Sequence, residues 1–113
     1  MDILRSEVYY VDLEPTKGRE MQKSRRPCVV VSNNIINEKT PVIIICPITD
    51  SRNKFSPIHI EIPEGEGGLT KKSVVHCAQV RSIDKLRMGS KLGILNSDLM
   101  QKVSEGLRQA MCL

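Results

Sequence analysis

Two short apolar runs made mostly of β-branched residues constrain the fold of this chain more than any other feature. They are residues 27–32 (PCVVVS) and 42–48 (VIIICPI). Because their apolar residues are continuous rather than alternating, and because both runs are short, they predict central strands covered on both faces. Pro27 has no N–H to donate to a neighbouring strand, so it fits the first position of its strand.

Two further segments have the composition of strands. Residues 7–13 (EVYYVDL) are rich in β-forming residues, and strand alternation predicts that one of the two tyrosines packs inward. Residues 57–62 (PIHIEI) alternate. Their three isoleucines would lie on one side of a half-exposed strand, with His59 and Glu61 on the other.

A long loop and another strand complete the β-rich part of the prediction. Residues 14–26 (EPTKGREMQKSRR) are polar and contain a proline and a glycine, and a loop of that length in a small protein is more often functional than a mere connection. Residues 73–83 (SVVHCAQVRSI) predict a single strand, which would place Gln79 and Arg81 on the same face.

The hydrophobic period changes near the C-terminus. Asn96 or Ser97 can cap a helix, and Gly106 in its middle costs about 1 kcal/mol relative to alanine. Apolar residues then recur at helical spacing, at Leu99, Met100, Val103, Leu107, Ala110 and Met111. With 113 residues, the chain is expected to form one domain, residues 1–113, folded as a small antiparallel β-barrel with a packed C-terminal helix.

The charge of the chain is basic and unevenly distributed. Lysine and arginine number 17 against 13 aspartates and glutamates, a formal net charge of +4. The bases gather in residues 16–26 and 71–91, and the acids gather at the N-terminus and in residues 61–66. This polarity favours a polyanionic partner without requiring one.

Cysteine usage and hydropathy indicate a cytoplasmic protein. The four cysteines are far apart and form no C-x-x-C pair, and three of them lie inside apolar runs, where a small, buried, reduced thiol is the simplest interpretation. With His59 and His76 they match no zinc pattern, and we expect no metal site. The sequence shows no secretion signal, and no apolar run approaches the length of about 18 residues that a membrane span requires.

Five segments, taken in order, cover nearly the whole chain: SEVYYVDLEPTKGRE, RRPCVVVSNN, VIIICPITDS, GLTKKSVVHCAQVRSIDKLRM and LGILNSDLMQKVSEGLRQAMCL. Each fragment alone is a weak signal, but together they resemble the MazF/PemK/Kid family. Its members are the endoribonuclease toxins of bacterial type II toxin–antitoxin pairs. The resemblance implies an SH3-like, partly open antiparallel barrel related to the MazF, Kid and CcdB toxins.

The resemblance also implies an activity and its partners. The protein would be a homodimer that cuts single-stranded RNA within a short sequence, without a metal or other cofactor. A MazE-like antitoxin would bind across the dimer and block the RNA groove. The implied catalytic pair is Arg26 and Thr49. Two positions depart from the family pattern, because Ser6 replaces a usual glycine and Ala78 replaces a frequent aspartate. The missing carboxylate leaves the cleaved sequence undetermined.

The implied pair suits cleavage by the 2′-hydroxyl of RNA, which gives a 2′,3′-cyclic phosphate and a 5′-hydroxyl. The planar guanidinium of Arg26, held next to Pro27, matches two phosphoryl oxygens, and Thr49 offers a hydroxyl donor with few rotamers. A guanidinium is a poor general base, since its pKa exceeds about 12. Glu20 is a candidate for proton abstraction or for orienting the arginine, and it is equally consistent with a solvated loop acid.

Several other residues are candidates for contact with RNA. Arg25 would contact phosphate or simply point away from Arg26 into solvent. Lys54 and Phe55 would pair a phosphate contact with a stacked base, although Phe55 is equally consistent with a core position. Gln79 and Arg81 would line the groove, or Arg81 would form a structural ion pair.

Two alternatives to the RNA-cleaving toxin remain. One alternative is a non-catalytic toxin that resembles CcdB and binds a protein such as gyrase. The other is a basic SH3-like module that binds nucleic acid without turnover.

Two histidines can catalyse this RNA cleavage in other nucleases. Because His59 and His76 fall at no catalytic position of the family, we expect structural roles for both.

Overall fold

The computed structural model describes residues 2–13, 25–51 and 58–113. Within these ranges the chain forms seven strands, two α-helices and three short 3₁₀ turns. The strands are β1 (Glu7–Asp12), β2 (Arg25–Val30), β3 (Val42–Asp50), β4 (His59–Ile62), β5 (Ser73–His76), β6 (Arg81–Asp84) and β7 (Met88–Ile94). The helices are α1 (Asn34–Lys39) and α2 (Ser97–Met111), and the turns are Glu66–Gly68, Cys77–Gln79 and Lys85–Arg87.

The described strands form one open sheet in which every pairing is antiparallel. Its order is β4-β5-β3-β2-β1-β7, and β6 also pairs with β3. The long strand β3 is shared along one edge, since residues 42–45 pair with β6 and residues 48–50 pair with β5. The predicted mainly β architecture with a packed C-terminal helix is confirmed.

Strands β2 and β3 carry apolar side chains to both faces of the sheet. Val29 and Cys46 belong to a core that is also formed by α2, whereas Cys28, Val30 and Ile45 belong to a second core on the opposite face. This two-sided burial explains why the sequence of both strands is continuously apolar. The prediction of central strands covered on both faces is confirmed.

Pro27 is the third residue of β2 rather than the first, so that prediction was wrong. The start of β2 pairs only with β1, where Pro27 lies opposite Tyr10, and pairing with β3 begins at Cys28. The proline therefore occupies a stretch of β2 that has a strand partner on one side among the described residues. Its missing N–H is tolerated there because no ladder partner is required on the other side.

The single strand predicted for residues 73–83 was also wrong. Strand β5 ends at His76, a 3₁₀ turn follows at Cys77–Gln79, and β6 begins at Arg81. The break allows β5 and β6 to pair with different parts of β3. Because the chain is not one strand here, alternation does not place Gln79 and Arg81 on a common face.

Strand β7 was not predicted because its sequence, MGSKLGI, shows no alternation. One of its glycines lies where two segments of backbone cross. A Cβ added to Gly93 would lie 2.6 Å from the backbone carbon of Gly67, so no larger residue fits at this position without a shift of the backbone. The glycines that conceal the strand in the sequence are thus required by its packing.

Ser6 adopts a backbone conformation that favours glycine. Its φ is +84°, its N–H donates to the carbonyl of Val30 at 2.9 Å, and its carbonyl accepts from the N–H of Leu95 at 2.9 Å. Both hydrogen bonds hold the backbone of this residue in the left-handed region, where a side chain is disfavoured. This geometry explains why a glycine is usual before the first strand in the family that the sequence resembles.

Helix α2 begins at the predicted cap. The side chain of Asn96 accepts a hydrogen bond from the N–H of Leu99 at 2.9 Å. In the middle of the helix, Gly106 is buried against the turn that follows β5, and a Cβ added there would lie 2.7 Å from Sγ of Cys77. The glycine that weakens the helix intrinsically therefore permits its close approach to the sheet. Within the described residues, neither helix is long and apolar enough to cross a membrane.

Gly106→Ala is expected to lower the free energy of unfolding by about 1 kcal/mol. The better helix propensity of alanine contributes about 1 kcal/mol, but overpacking of a closed contact costs about 1–3 kcal/mol. Urea unfolding followed by circular dichroism measures the change. In a Cys77→Ala background the added methyl has room, so the same substitution should be neutral or stabilising. An increase in stability from Gly106→Ala alone would contradict the close contact.

Candidate functional site

The register of β2 and β3 brings Arg26 and Thr49 together. Cys28 pairs with Pro47 at the end of the β2–β3 ladder, and Arg26 and Thr49 each lie two residues beyond this pair. Since alternate residues of a strand share a face, both side chains lie on the face that carries Cys28. The start of β2 and the end of β3 thus carry a guanidinium and a hydroxyl on the same face at the same end of the ladder.

Arg26 and Thr49 line one cleft of about 680 Å³. Its described lining also includes the cations Arg25 and Lys71 and one carboxylate, Asp50. The ion pair between Lys71 and Asp50 is long, at 3.9 Å, and the lysine side chain is 72% exposed, so it neutralises little of the positive charge. The described part of the cleft is therefore cationic and suited to an anionic ligand.

Arg25 approaches the cleft from the other face of the strand. It pairs with Asp12 of β1, and its Nη1 lies 3.6 Å from the position that a Cβ on Gly89 would take. Arg25 and Arg26 are both exposed. Adjacent arginines therefore project from opposite faces at the start of β2, and both reach the same cleft.

Thr49 makes a hydrogen bond that the sequence did not predict. Its Oγ1 lies 2.6 Å from Nε2 of His76, and a longer contact of 3.3 Å joins it to the carbonyl of Asp50. Thr49 is partly exposed, whereas His76 is fully buried at the end of β5. A polar residue within an apolar run was the available signal, because a buried imidazole requires a partner.

His76 has a lowered pKa. Burial is the main cause, followed by His59, which lies opposite it on β4, and then by the positive charge of Arg26. The influence of Arg26 is a further sign that the arginine, the threonine and the histidine form one group. The imidazole is therefore neutral at pH 7.

Arg81 and Gln79 lie apart from the cleft described so far. Both are exposed, and neither belongs to the described residues that line it. Arg81 pairs with Ile45 near the middle of β3. Burial raises the pKa of the Cys28 thiol to about 12, and the positive charges of Arg26 and Arg81 both oppose that increase. Because both charges act on Cys28, Arg81 borders the same sheet face as Arg26.

The tyrosines behave as alternation predicted. Tyr9 is buried and donates a hydrogen bond to Glu7 at 2.9 Å, whereas Tyr10 is 38% exposed and lines the cleft. An aromatic ring beside Arg25 is a surface on which a nucleotide base can stack. Glu20, Lys54 and Phe55 lie outside the described residues, and their roles stay predictions.

The fold matches solved toxin structures. MazF from Deinococcus radiodurans superposes with a TM-score of 0.81 over 100% of this chain and 99% of that chain, at 26% identity. An endoribonuclease in complex with its cognate antitoxin, from a mycobacterial species, gives a TM-score of 0.78 over 99% and 95% of the two chains. At 23% identity the second likeness shows the fold alone. An open antiparallel sheet with one long C-terminal helix is thus the architecture of the MazF class of toxins.

The sequence comparison defines the family. Residues 4–111 match the family described as the PemK-like, MazF-like toxin of type II toxin-antitoxin systems, and the chain belongs to this family. It is 37% identical over 114 residues to "Endoribonuclease EndoA" of Bacillus subtilis, covering 100% of this chain and 97% of that protein. The resemblance inferred from the five sequence segments is confirmed.

Proposed function

We propose that this chain is the toxin of a type II pair and acts as a sequence-specific endoribonuclease on single-stranded RNA, without a metal ion. The observation that carries the proposal is that Arg26 and Thr49 line the same cationic cleft. Membership of the toxin family and the name of the Bacillus subtilis relative support the same activity. They favour it over a CcdB-like toxin that binds protein and over a binding module without turnover.

In this proposal the RNA supplies its own nucleophile. The 2′-hydroxyl attacks the adjacent phosphorus, its proton leaves to a base, and the bond to the 5′-oxygen breaks as that oxygen is protonated. Arg26 binds two phosphoryl oxygens through its fork and stabilises their growing charge, and Thr49 donates its hydroxyl to a non-bridging oxygen. Both side chains stand on paired strands, so their positions are set before the substrate binds.

The guanidinium of Arg26 is unsuited to act as the general base, so another group must abstract the 2′-hydroxyl proton. Arginine stays protonated in proteins, so Arg26 is suited to donating a proton toward the leaving oxygen and not to abstracting one. Glu20 is our candidate for abstracting the 2′-hydroxyl proton or for orienting Arg26. It belongs to the polar loop between β1 and β2 in the sequence.

The RNA would extend from the cleft across the basic face of the sheet. Arg25 and Lys71 would hold phosphates near the cleaved bond, and Arg81 would hold the RNA where it passes the middle of β3. The remaining proposed contacts are Gln79, Lys54 and Phe55. Contacts with the phosphate backbone position the strand, while base contacts select its sequence.

We also propose that the toxin works in the cytoplasm as a homodimer. A small MazE-like antitoxin would bind across the dimer and cover the RNA groove. The mycobacterial structure shows that an endoribonuclease of this fold binds a cognate antitoxin. An acidic antitoxin segment would complement the cationic cleft formed around Arg25, Arg26 and Lys71.

Incubation with a long mixed-sequence RNA in EDTA is expected to give cuts at one recurring short sequence. The products should carry a 2′,3′-cyclic phosphate and a 5′-hydroxyl. The matched control is an oligonucleotide with a single 2′-deoxyribose on the 5′ side of the cleaved bond, which lacks the nucleophile and should resist cleavage. Arg26→Ala protein, purified in the same way, controls for contaminating nucleases. Intact RNA at high protein concentration would overturn the proposal.

A further inference from the structure

The pairing of β5 with β3 brings His76 close to Thr49, one of the two proposed catalytic residues. Thr49 pairs with Val74 across β3 and β5, and His76 lies two residues further along β5, on the same face as Val74. The imidazole therefore reaches the threonine diagonally, and its Nε2 lies 2.6 Å from Oγ1. Diagonal neighbours in an antiparallel pair are within reach of long side chains.

We propose that His76 is a positioning residue for RNA cleavage, which holds the Thr49 hydroxyl toward the phosphate through the Nε2–Oγ1 hydrogen bond. This inference rests on the proposed function. His76 is fully buried, so it does not contact the substrate itself. Thr49 is partly exposed on the cleft side, so the histidine supports the group that does.

The threonine hydroxyl requires such support because it has a competing partner. Its one proton is able to turn toward the carbonyl of Asp50, 3.3 Å away, instead of toward a phosphoryl oxygen. If Nε2–H of His76 donates to Oγ1, it occupies an oxygen lone pair and leaves the hydroxyl proton free to donate. The imidazole thus converts a hydroxyl with several orientations into a directed donor.

The surroundings of His76 favour the neutral form of the ring. The groups that act on it are His59, its partner on β4, and Arg26 on β2. Glu61 stands on the same face of β4, and Asp50 follows Thr49 on β3. Burial, His59 and Arg26 lower the pKa of His76 below its usual value of 6.5, so the ring adds no second charge beside Arg26.

Three substitutions of His76 separate positioning from packing. His76→Leu keeps the approximate volume but has no donor. His76→Gln carries an amide N–H near the position of Nε2, and His76→Asn is polar but too short to reach Thr49. Urea unfolding identifies any variant that fails to fold, and the comparison of glutamine with asparagine stands even if the leucine variant is lost.

The expected result is a loss of kcat of roughly 10- to 100-fold in His76→Leu and His76→Asn, with KM changed by less than about threefold. His76→Gln should stay within about threefold of the wild-type kcat. In a Thr49→Val background, which has no hydroxyl to orient, His76→Leu should cause no further loss.

Two outcomes would overturn the inference while the proposed function stands. One is a wild-type kcat in His76→Leu, and the other is an equal loss of kcat in the wild-type and Thr49→Val backgrounds. Equal activity of the glutamine and asparagine variants would also reject it, since only glutamine reaches Thr49. Absence of cleavage by the wild-type protein would instead reject the proposed function.

Discussion

Arg26→Ala should reduce kcat for RNA cleavage by about 10³-fold, whereas Arg25→Ala should leave kcat nearly unchanged and raise KM about fivefold. A preorganised donor to the charge that develops in a transition state contributes about 3–4 kcal/mol, which corresponds to this loss. Arg26 shares a sheet face with Thr49, whereas Arg25 projects from the other face toward Gly89. Arg25 therefore acts on binding, where one exposed charge contributes about 1 kcal/mol.

Steady-state cleavage of a short fluorescent RNA measures both constants. Arg26→Lys is the matched control because it keeps the charge and loses the planar fork, and it should retain less than about a tenth of the wild-type kcat. The KM of Arg25→Ala should approach that of the wild type as salt is raised, since the lost contact is electrostatic. Equal losses of kcat in the two alanine variants would show that the arginines share one role.

Glu7→Ala is expected to lower the free energy of unfolding by about 2–3 kcal/mol, because it removes a buried carboxylate with three donors. Its Oε1 accepts from the N–H of Leu4 at 2.8 Å and from the hydroxyl of Tyr9 at 2.9 Å, and its Oε2 accepts from Nζ of Lys91 at 2.7 Å. The side chain of Glu7 is only 7% exposed. Its loss leaves the buried tyrosine hydroxyl without that acceptor.

The contribution of Glu7 should depend on pH. Burial raises its pKa, but the hydrogen bonds from Lys91, Leu4 and Tyr9 outweigh burial, and the pKa lies below the ordinary value of 4.5. The carboxylate therefore stabilises the fold fully above the pKa of an unfolded glutamate, and this stabilisation declines as pH falls through the folded pKa. The stability difference between wild type and Glu7→Gln should be larger at pH 7 than at pH 3.

Urea unfolding at the two pH values tests both statements about Glu7. Glu105→Ala is the matched control, since the ion pair between Glu105 and Arg108 is 3.6 Å long and both side chains are 62% exposed. Its removal should change the free energy of unfolding by less than about 0.5 kcal/mol. A loss of less than about 1 kcal/mol from Glu7→Ala would contradict the role assigned to the buried network.

The sequence predicted those elements whose residue pattern comes from local physics. The continuous apolar runs of β2 and β3 reflect two cores, and the period of α2 reflects one buried stripe, so both patterns could be recognised. Strand β7 could not be recognised, because its Gly93 serves a close crossing with Gly67, and these two segments are remote in sequence. The break after His76 was missed because the sharing of β3 between β5 and β6 is a property of the whole sheet.

The residues of the candidate site also differ in how far the sequence could predict their roles. The resemblance to the toxin family implied that Arg26 and Thr49 are the catalytic pair. That both side chains line one cleft came only from the structure. His76 was expected to be structural because it falls at no catalytic position of the family. Its diagonal contact with Thr49 depends on where β5 pairs with β3, which no local pattern encodes.

The turn at Cys77–Gln79 has a consequence for how new cleavage preferences can arise. Its first residue is buried beneath Gly106 of α2, whereas Ala78 and Gln79 are exposed and lie in neither β5 nor β6. Side chains at these two positions can be exchanged without altering the backbone ladders that hold Thr49 and Arg26. Under the proposed function, target choice and bond breaking are carried by separable parts of the chain.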